Sequence, residues 1–306
     1  MGIELKKIWM DGKLVPWKKA NIHILTHALH YGTAIFEGLR CYSTNQGPAV
    51  FRLSDHIARL YRGAKSYHFD IPYTPEQFKK AVFQTIKANK VDHCYIRPII
   101  YLGYKIIGLS MKDTPIKTAI IPVKFDQYFD PKKAARGLHC HISSWHRISV
   151  NQLSPHVKAS ANYMNSVLAK AEAEREGFDE AIMLTDEGHV SEGTGENIFI
   201  ARKGKLITPP FYDSVLGGVT RESVIEMARD LGYVVEEKSI LRDELDTADE
   251  VFMTGTASEI NFVSQIDDVV IGTGKKGPIT AALQSKFRDI VTGNDSKYKK
   301  WLDYVR

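Results

Sequence analysis

The chain has 306 residues, of which 43% are hydrophobic and 25% charged, a composition typical of a folded globular protein and not of a disordered one. Its net charge is +5 and its basic residues are scattered, which argues against a nucleic-acid-binding surface. Cys41, Cys94 and Cys140 lie far apart, which argues against a disulfide framework and favours a reducing, cytoplasmic location. We expect no signal peptide and no membrane span, since no apolar run approaches about 18 residues.

The first third of the chain predicts a mixture of helices and strands. Ile8–Val15 is typical of a hairpin, because an Asp-Gly pair separates two apolar runs. A helix is predicted over Leu53–Phe69 with Ser54 as its cap, and a second over Thr74–Asn89 with proline at its first position. The predicted strands are rich in β-branched and aromatic residues: Phe36–Tyr42, Cys94–Leu102 and Thr118–Val123.

A polar stretch that contains proline, Lys124–Arg136, indicates a connection between domains. We predict a small N-terminal domain over residues 1–122, an interdomain connector over 123–134 and a larger domain over 135–306. The larger domain mixes helices and strands without strict strand–helix–strand alternation, which predicts an α+β fold. Its predicted elements are the strands Gly137–Ser144, Glu180–Thr185 and Ile198–Ala201 and the helices Ala161–Glu176 and Val219–Leu231.

Lys158 stands just before a predicted helix that carries Tyr163 on its first turn. A lone lysine is usually a surface residue, but the flanks of Lys158 are small or apolar and would let an aromatic ring approach. A lysine that forms a Schiff base must lose its proton near neutral pH, which requires such partial burial. Tyr163 could direct its hydroxyl at a ring oxygen, although a tyrosine in this position is more often part of the core.

Glu192 lies in a glycine-rich segment that we interpret as a turn between strands. Such acids are usually exposed and inert; the functional alternative is a carboxylate that faces a pyridine nitrogen and keeps it protonated. Asn197 is expected to stabilise the turn by hydrogen bonding. Gly217-Gly218 precedes a helix whose first N–H groups and dipole suit a phosphate, although this pair is also a common helix cap. Together, an amine, a phenol, a carboxylate and an anion site suit pyridoxal phosphate.

No metal site is predicted. His23, His27 and His30 have helical spacing but no accompanying acids, and the strand His139-Cys140-His141 places its cysteine opposite both histidines. No complete dinucleotide or nucleoside-triphosphate motif is present either.

Taken together, these segments resemble the fold-type IV pyridoxal-phosphate enzymes and, within them, the branched-chain amino acid aminotransferases. The resemblance runs from His27 to about Gly277 and implies a two-domain α+β architecture: a small α/β N-terminal domain and a larger C-terminal domain with a pseudo-barrel sheet. The motifs that carry it are, in order, His30-Tyr31-Gly32, Phe36-Glu37-Gly38-Leu39-Arg40, Tyr95-Ile96-Arg97-Pro98, Lys158 with Tyr163, Glu192 with Asn197-Ile198-Phe199, Thr208, Leu216–Arg221 and Thr254-Gly255-Thr256-Ala257.

The resemblance implies pyridoxal 5'-phosphate as the cofactor. Lys158 would be the catalytic residue, bonding to the cofactor and then moving the proton between the substrate Cα and cofactor C4′. Tyr163 would bind the ring oxygen and Glu192 the ring nitrogen. The phosphate would be bound by Arg59, Val219, Thr220 and Thr256.

The same resemblance implies the substrate contacts. The Thr256 and Ala257 amides and the Tyr95 hydroxyl would hold the α-carboxylate, and Arg97 would pair with the γ-carboxylate of glutamate. An apolar pocket would be formed by Phe36, Gly38, Phe125, Tyr128 and Tyr163, with Tyr31 and Leu109 supplied by a neighbouring subunit.

The implied reaction moves the amino group of L-leucine, L-isoleucine or L-valine to 2-oxoglutarate. The implied partners are small amino acids and 2-oxo acids, with neither nucleic acid nor membrane. A homodimer is the implied minimum, and a hexamer built as a trimer of dimers is the larger alternative. D-amino acid aminotransferase and aminodeoxychorismate lyase share the scaffold; Tyr95 with Arg97 and Phe36-Glu37-Gly38 favour the branched-chain group. Gly217 departs from the family pattern, in which many members have proline there.

Overall fold

A computed structural model of the chain describes residues 3–305. These residues form two compact units. The first unit comprises the chain up to Asp126, the segment Val157–Ala161 and the chain from Asp289 onward; the second comprises Gln127–His156 and Asn162–Arg288. The first unit therefore includes Val157–Ala161 and the chain from Asp289 onward, which a division into successive domains would assign to the second. The domain boundaries stated above stay a prediction.

Strands and helices alternate irregularly along the described residues. The strands, in chain order, are β1 (Lys7–Met10), β2 (Lys13–Pro16), β3 (Ala34–Phe36), β4 (Leu39–Thr44), β5 (Gly47–Phe51), β6 (Cys94–Leu102), β7 (Ile116–Val123), β8 (Leu138–Ile142), β9 (Glu180–Leu184), β10 (Val190–Gly193), β11 (Asn197–Arg202), β12 (Lys205–Thr208), β13 (Val234–Glu237), β14 (Glu250–Gly255), β15 (Glu259–Ile266), β16 (Val269–Val270) and β17 (Leu302–Tyr304). The α-helices are α1 (His27–Tyr31), α2 (Leu53–Ser66), α3 (Pro75–Asn89), α4 (Pro131–Arg136), α5 (Tyr163–Arg175), α6 (Val219–Asp230), α7 (Arg242–Asp246) and α8 (Pro278–Val291). Short 3-10 helices cover Trp17–Lys19, Ser160–Asn162, Phe211–Asp213 and Ser296–Trp301.

The first unit is built on a sheet of eight strands within residues 3–305. Their order is β17-β5-β4-β6-β7-β1-β2, and β3 pairs with β6 beyond the start of β4. The central strand β6 is buried along most of its length, with Arg97 and Ile99 half-buried. Pro98 is tolerated within it because its missing N–H faces the break between β3 and β4, where Glu37 donates its N–H to the Pro98 carbonyl. This break takes Glu37 and Gly38 out of the strand ladder.

Local signals account for several elements of the first unit. The hairpin turn at Asp11 and Gly12 has φ angles of 44° and 88°, the left-handed pair that a type I′ turn requires. Thr74 caps α3 in a reciprocal arrangement with Gln77, and proline occupies the first turn. Both predictions are confirmed.

The predicted cap of α2 is wrong. The N-cap is Arg52, in a left-handed conformation and without a side-chain cap, rather than Ser54. A tertiary contact explains the difference: the Arg52 N–H donates to the Trp301 carbonyl at 2.6 Å, and the Arg52 guanidinium lies 5.1 Å from the Trp301 ring centroid and pairs with Asp55 at 2.7 Å. These contacts fix the chain direction before the helix begins.

The second unit is built on a mixed sheet of nine strands within the described part of the chain. The order is β10-β9-β8-β15-β14-β11-β12-β13, with β16 paired to β15. Strand β8 runs parallel to both neighbours, β12 is parallel to β13, and the other pairs are antiparallel. Apolar side chains of β8, β9, β11, β14 and β15 form its core. No helix described in residues 3–305 combines the length and apolarity needed to cross a membrane.

Candidate active site

Lys158 is held against strand β3 by main-chain contacts. Phe36 donates its N–H to the Lys158 carbonyl at 3.0 Å, and Ile35 forms an antiparallel bridge with Ala159. Ala159 is buried and Lys158 half-buried, so the backbone of this short segment is anchored within the first unit. The Lys158 Nζ lies 5.2 Å from the centroid of the Phe36 ring. The main chain that carries the amine is thus held by paired backbone rather than by a loose loop.

One residue beyond Phe36, the Glu37 carboxylate is fully buried and surrounded by donors. Arg59 donates from Nε to Oε1 at 2.6 Å and from Nη2 to Oε2 at 2.8 Å, which is a bidentate pair. The Nδ1 of His56 lies 2.8 Å from Oε2 of the same carboxylate. Arg59 and His56 lie on the same face of α2, three residues apart.

The charge states within this cluster follow from its burial and contacts. Burial by itself would raise the pKa of Glu37, but the Arg59 charge and the hydrogen bonds outweigh it and hold that pKa well below its usual range. Burial lowers the pKa of His56 despite its contact with Glu37, and the positive charges of Arg59 and Lys158 act in the same direction. The cluster therefore contains ionised Glu37, ionised Arg59 and neutral His56.

This cluster contains one residue that the sequence identifies and two that it does not. Arg59 is a predicted phosphate ligand, and the structure places it in the first unit with Lys158, its fork held in one orientation by Glu37. The sequence predicts no role for the Glu37 or His56 side chain. The available signal was an acid inside an apolar strand segment together with a histidine one helical turn before an arginine.

Beside Lys158, the first unit also brings together five of the predicted substrate-binding residues: Phe36, Gly38, Tyr95, Arg97 and Phe125. The Arg97 guanidinium lies 4.6 Å from the Phe36 ring centroid and donates to the Tyr95 hydroxyl at 2.8 Å. The rings of Tyr95 and Phe125 pack with centroids 5.4 Å apart. A Cβ on Gly38 would collide with the Tyr95 hydroxyl, so glycine is required there. The result is an aromatic wall with one embedded guanidinium.

Tyr31 contacts the chain segment that carries Leu109. The Tyr31 hydroxyl accepts a hydrogen bond from the Gly108 N–H at 3.2 Å, next to Leu109. Nε2 of His27 lies 2.9 Å from the Gly108 carbonyl and ties the same loop to α1. Leu109 is 82% exposed. Within one chain these two side chains present an open surface.

In the second unit, Glu192 lies within β10 opposite Met183, so its interpretation as a turn residue is wrong. The ladder between β9 and β10 is irregular at this point. Arg147 pairs with Oε1 of Glu192 at 2.8 Å; Oε2 accepts from the Leu216 N–H at 3.0 Å and from Asn197 Nδ2 at 2.9 Å. Asn197 also donates to the Leu216 carbonyl. The sequence does not identify Arg147, and it predicts for Asn197 only a role in the turn, whereas Asn197 also donates to Glu192.

Two further segments of the second unit have the donors that a phosphate or carboxylate needs. Helix α6 begins after Gly218, which has no side-chain cap, and Val219 and Thr220 form its buried first turn. A Cβ on Gly218 would collide with the Asn197 amide oxygen, so the chain passes closely over that side chain. These features fit the predicted phosphate site.

The second of these segments is the turn that joins β14 to β15, which carries Thr256 and Ala257, both half-buried. On either side of it, the Thr254 and Ser258 hydroxyls are buried without a hydrogen-bond partner among the described residues. Buried hydroxyls of this kind are costly unless a ligand satisfies them. The turn therefore fits an anionic group such as the phosphate of pyridoxal 5'-phosphate.

The remaining predicted residues lie in the second unit as well. Tyr163 is the first residue of α5 and is half-buried. Tyr128 precedes α4 and packs edge-on against Phe129, with ring centroids 4.8 Å apart. Among residues 3–305, no group of three His, Cys, Asp or Glu side chains is arranged to hold a metal ion.

Comparison with known proteins gives consistent results. The model of the family described as amino-transferase class IV matches residues 34–266. The branched-chain-amino-acid aminotransferase of Escherichia coli (strain K12) is 39% identical over 301 residues, covering 97% of each chain. The enzyme of that name from Pseudomonas aeruginosa is 38% identical over 299 residues, covering 98% of this chain and 97% of the relative.

Solved structures agree with the sequence relatives. The Escherichia coli branched-chain amino acid aminotransferase superposes with a TM-score of 0.97 at 38% identity, covering 99% of this chain and 100% of that one. The branched-chain aminotransferase of Thermoproteus uzoniensis, solved with norvaline, gives a TM-score of 0.94 at 42% identity, with the same coverage. The predicted fold-type IV architecture is confirmed by these matches. The chain therefore belongs to the class IV aminotransferases, in the family of branched-chain-amino-acid aminotransferases.

Proposed function

We propose that this protein is a pyridoxal 5'-phosphate-dependent transaminase that moves the amino group of L-leucine, L-isoleucine or L-valine to 2-oxoglutarate. The observation that carries the proposal is the anchored Lys158 amine beside Phe36, in the same unit as the Glu37–Arg59 pair and the aromatic wall. Solved relatives are described in complex with pyridoxamine 5'-phosphate and in a form with pyridoxal phosphate. The family and the donor sets described above support the same cofactor here.

In this proposal the residues have distinct roles toward the cofactor. Lys158 would hold it covalently and would also carry the proton between the substrate Cα and the cofactor C4′. Tyr163 binds the ring oxygen and Glu192 the ring nitrogen. When bound, the cofactor supplies an electron sink that makes the Cα–H bond acidic. The proposed phosphate ligands are Arg59, Val219, Thr220 and Thr256.

The substrate preference is inferred from the wall of the first unit. Phe36, Phe125 and Tyr95 offer apolar ring surface to a branched side chain, and the missing Cβ of Gly38 lets the Tyr95 hydroxyl lie close to the chain there. We propose that Tyr128 extends this surface and that the Tyr95 hydroxyl, with the Thr256 and Ala257 amides, binds the α-carboxylate.

A panel of L- and D-amino acids with 2-oxoglutarate as acceptor tests the proposal. We expect L-leucine, L-isoleucine and L-valine to be the fastest donors. Faster turnover of D-alanine would indicate a D-amino acid aminotransferase, and pyruvate release from aminodeoxychorismate would indicate the lyase. A near-visible absorbance band that borohydride abolishes would report the covalent bond to Lys158.

The choice of 2-oxoglutarate depends on Arg97. Its side chain is half-buried, and its Nη2 donates to the Tyr95 hydroxyl. A guanidinium that retains donor capacity beside an apolar wall can pair with a carboxylate when one is present. Arg97 is therefore the proposed partner of the acceptor's γ-carboxylate.

Replacing Arg97 by methionine should affect the reaction with 2-oxoglutarate more than the reaction with L-leucine. We expect kcat/KM for 2-oxoglutarate to fall about 10- to 100-fold, because a charge-assisted pair is lost, with a change of about threefold or less for L-leucine. Half-reactions followed by single-turnover absorbance measure each substrate separately. An equal loss for both substrates would contradict the assignment.

The assembly and location are also proposals. Tyr31 and Leu109 lie on an exposed surface, and we propose that they complete the pocket of a neighbouring subunit in a homodimer, with the hexamer as the larger alternative. Light scattering on the purified protein measures the mass directly. The three free cysteines are consistent with a proposed cytoplasmic location.

A further inference from the structure

Arg147 is the charged partner of Glu192, and its placement is tightly determined. Its side chain and that of Glu192 are both 6% exposed, and the ion pair measures 2.8 Å. The Arg147 N–H donates to the Leu184 carbonyl at 2.8 Å, while Glu192 lies opposite Met183. Both residues are therefore anchored to strand β9, at the adjacent positions Leu184 and Met183. The pairing of the backbone thus places the two side chains next to each other.

The contacts of Arg147 are directed at this one carboxylate. Its Nη2 contacts Oε1 of Glu192, whereas its Nε is buried without a hydrogen-bond partner in the part of the chain that the structure describes. Leaving a buried N–H unsatisfied costs free energy, and the fold accepts this cost in a guanidinium that pairs with the Glu192 carboxylate.

The other oxygen of Glu192 is fixed independently. Oε2 accepts from the Leu216 N–H and from Asn197, so the carboxylate plane is defined by donors on both oxygens. Burial by itself disfavours an ionised carboxylate, whereas N–H donors to its oxygens favour it. The Arg147 charge adds to the two N–H donors and favours the ionised form.

We propose that Arg147 is a positioning residue, which holds Glu192 ionised and correctly oriented toward the pyridine nitrogen of the cofactor. This inference rests on the proposed role of Glu192. It assigns Arg147 no contact with substrate or cofactor; its action passes through the carboxylate. Loss of Arg147 should therefore weaken binding only of a ligand whose ring nitrogen interacts with the Glu192 carboxylate.

The test uses two ligands, pyridoxal 5'-phosphate and its 1-deaza analogue, in which a C–H replaces the ring nitrogen. For the Arg147→Met variant we expect the dissociation constant of pyridoxal 5'-phosphate to rise about 10- to 100-fold, the range for loss of a charged hydrogen-bond partner. Binding of the analogue should change by about threefold or less. Arg147→Lys retains the charge and should recover part of the loss.

Two further variants distinguish an effect that acts through Glu192 from a general effect of losing a guanidinium. Arg136→Met removes a guanidinium that pairs with the buried Asp179 at 2.8 Å, also in the second unit, and should change neither dissociation constant. In a Glu192→Gln background, the additional Arg147→Met change should no longer weaken binding of pyridoxal 5'-phosphate; this double variant removes both charges and avoids an unpaired buried ion.

Equal weakening for both ligands, or unchanged affinity for pyridoxal 5'-phosphate, would overturn the positioning role. Failure of the proposed function would be seen separately, because the wild-type protein itself would then lack the borohydride-sensitive absorbance and transaminase activity.

Discussion

The Lys158→Ala variant is expected to lose transaminase activity by about 10⁴-fold or more in kcat/KM. The reason is that one side chain is proposed to bond to the cofactor and to transfer the proton, so both contributions disappear together. Residues that act as a unit lose most of their combined effect when one is removed. The fold should survive, since Lys158 is anchored through its main chain to Phe36.

The measurement combines steady-state kinetics with borohydride reduction and peptide mapping. In the wild type, the reduced cofactor should be found attached to the peptide that contains Lys158. In the variant, no peptide should carry attached cofactor. Lys80→Ala, on the exposed face of α3, is the matched control and should behave as wild type. A Lys158→Ala protein that keeps a tenth of the activity would contradict the mechanism.

The second large effect is expected from Glu37→Gln. The substitution leaves the Arg59 guanidinium, 9% exposed, without its bidentate counter-charge. Breaking a buried ion pair on one side typically costs about 3–5 kcal/mol, because an uncompensated charge remains. We therefore expect a loss of this size in the free energy of unfolding, measured by urea denaturation without added cofactor, because a bound phosphate would itself compensate the Arg59 charge.

The control is Glu76→Gln, which breaks an exposed pair with Lys79. That glutamate is 72% exposed, so a change of about 0.5 kcal/mol or less is expected. Replacing Arg59 together with Glu37 by neutral residues should destabilise less than Glu37→Gln does. A loss below about 1 kcal/mol for Glu37→Gln would show that the pair is not an important part of the fold.

The same pair predicts a dependence on pH. Because the pKa of Glu37 is lower in the folded chain than its ordinary value of 4.5, its contribution to stability is complete above that value and is lost as the pH falls below it. The difference in unfolding free energy between wild type and Glu37→Gln should be constant near neutral pH and should narrow in acid. A difference that widens in acid would contradict the proposed ionised state.

Elements specified by nearby residues could be predicted from the sequence. The Asp11-Gly12 turn and the capped start of α3 depend on residues within four positions of each other. The position of Tyr163 on the first turn of α5 is equally local. The family resemblance then identified candidate residues that the structure groups within each unit.

Contacts between distant segments could not be predicted in this way. Arg59 lies 22 residues from Glu37, and Arg147 lies 45 from Glu192, so no periodic pattern connects either pair. Glu192 illustrates the same limit: the glycines after it suggest a turn, but pairing with β9 makes it part of a strand. Tertiary partners decide such cases, as they do at the cap of α2.

The strand β17 has a consequence for synthesis on the ribosome. It pairs with β5, and Trp301 beside it packs on Phe51 with ring centroids 5.7 Å apart, although about 250 residues separate the two segments. The first part of the chain to emerge therefore cannot acquire its edge strand until about 250 further residues have been synthesised. Until then the open edge of β5 needs protection, so this enzyme should depend on chaperones during translation more than its size suggests.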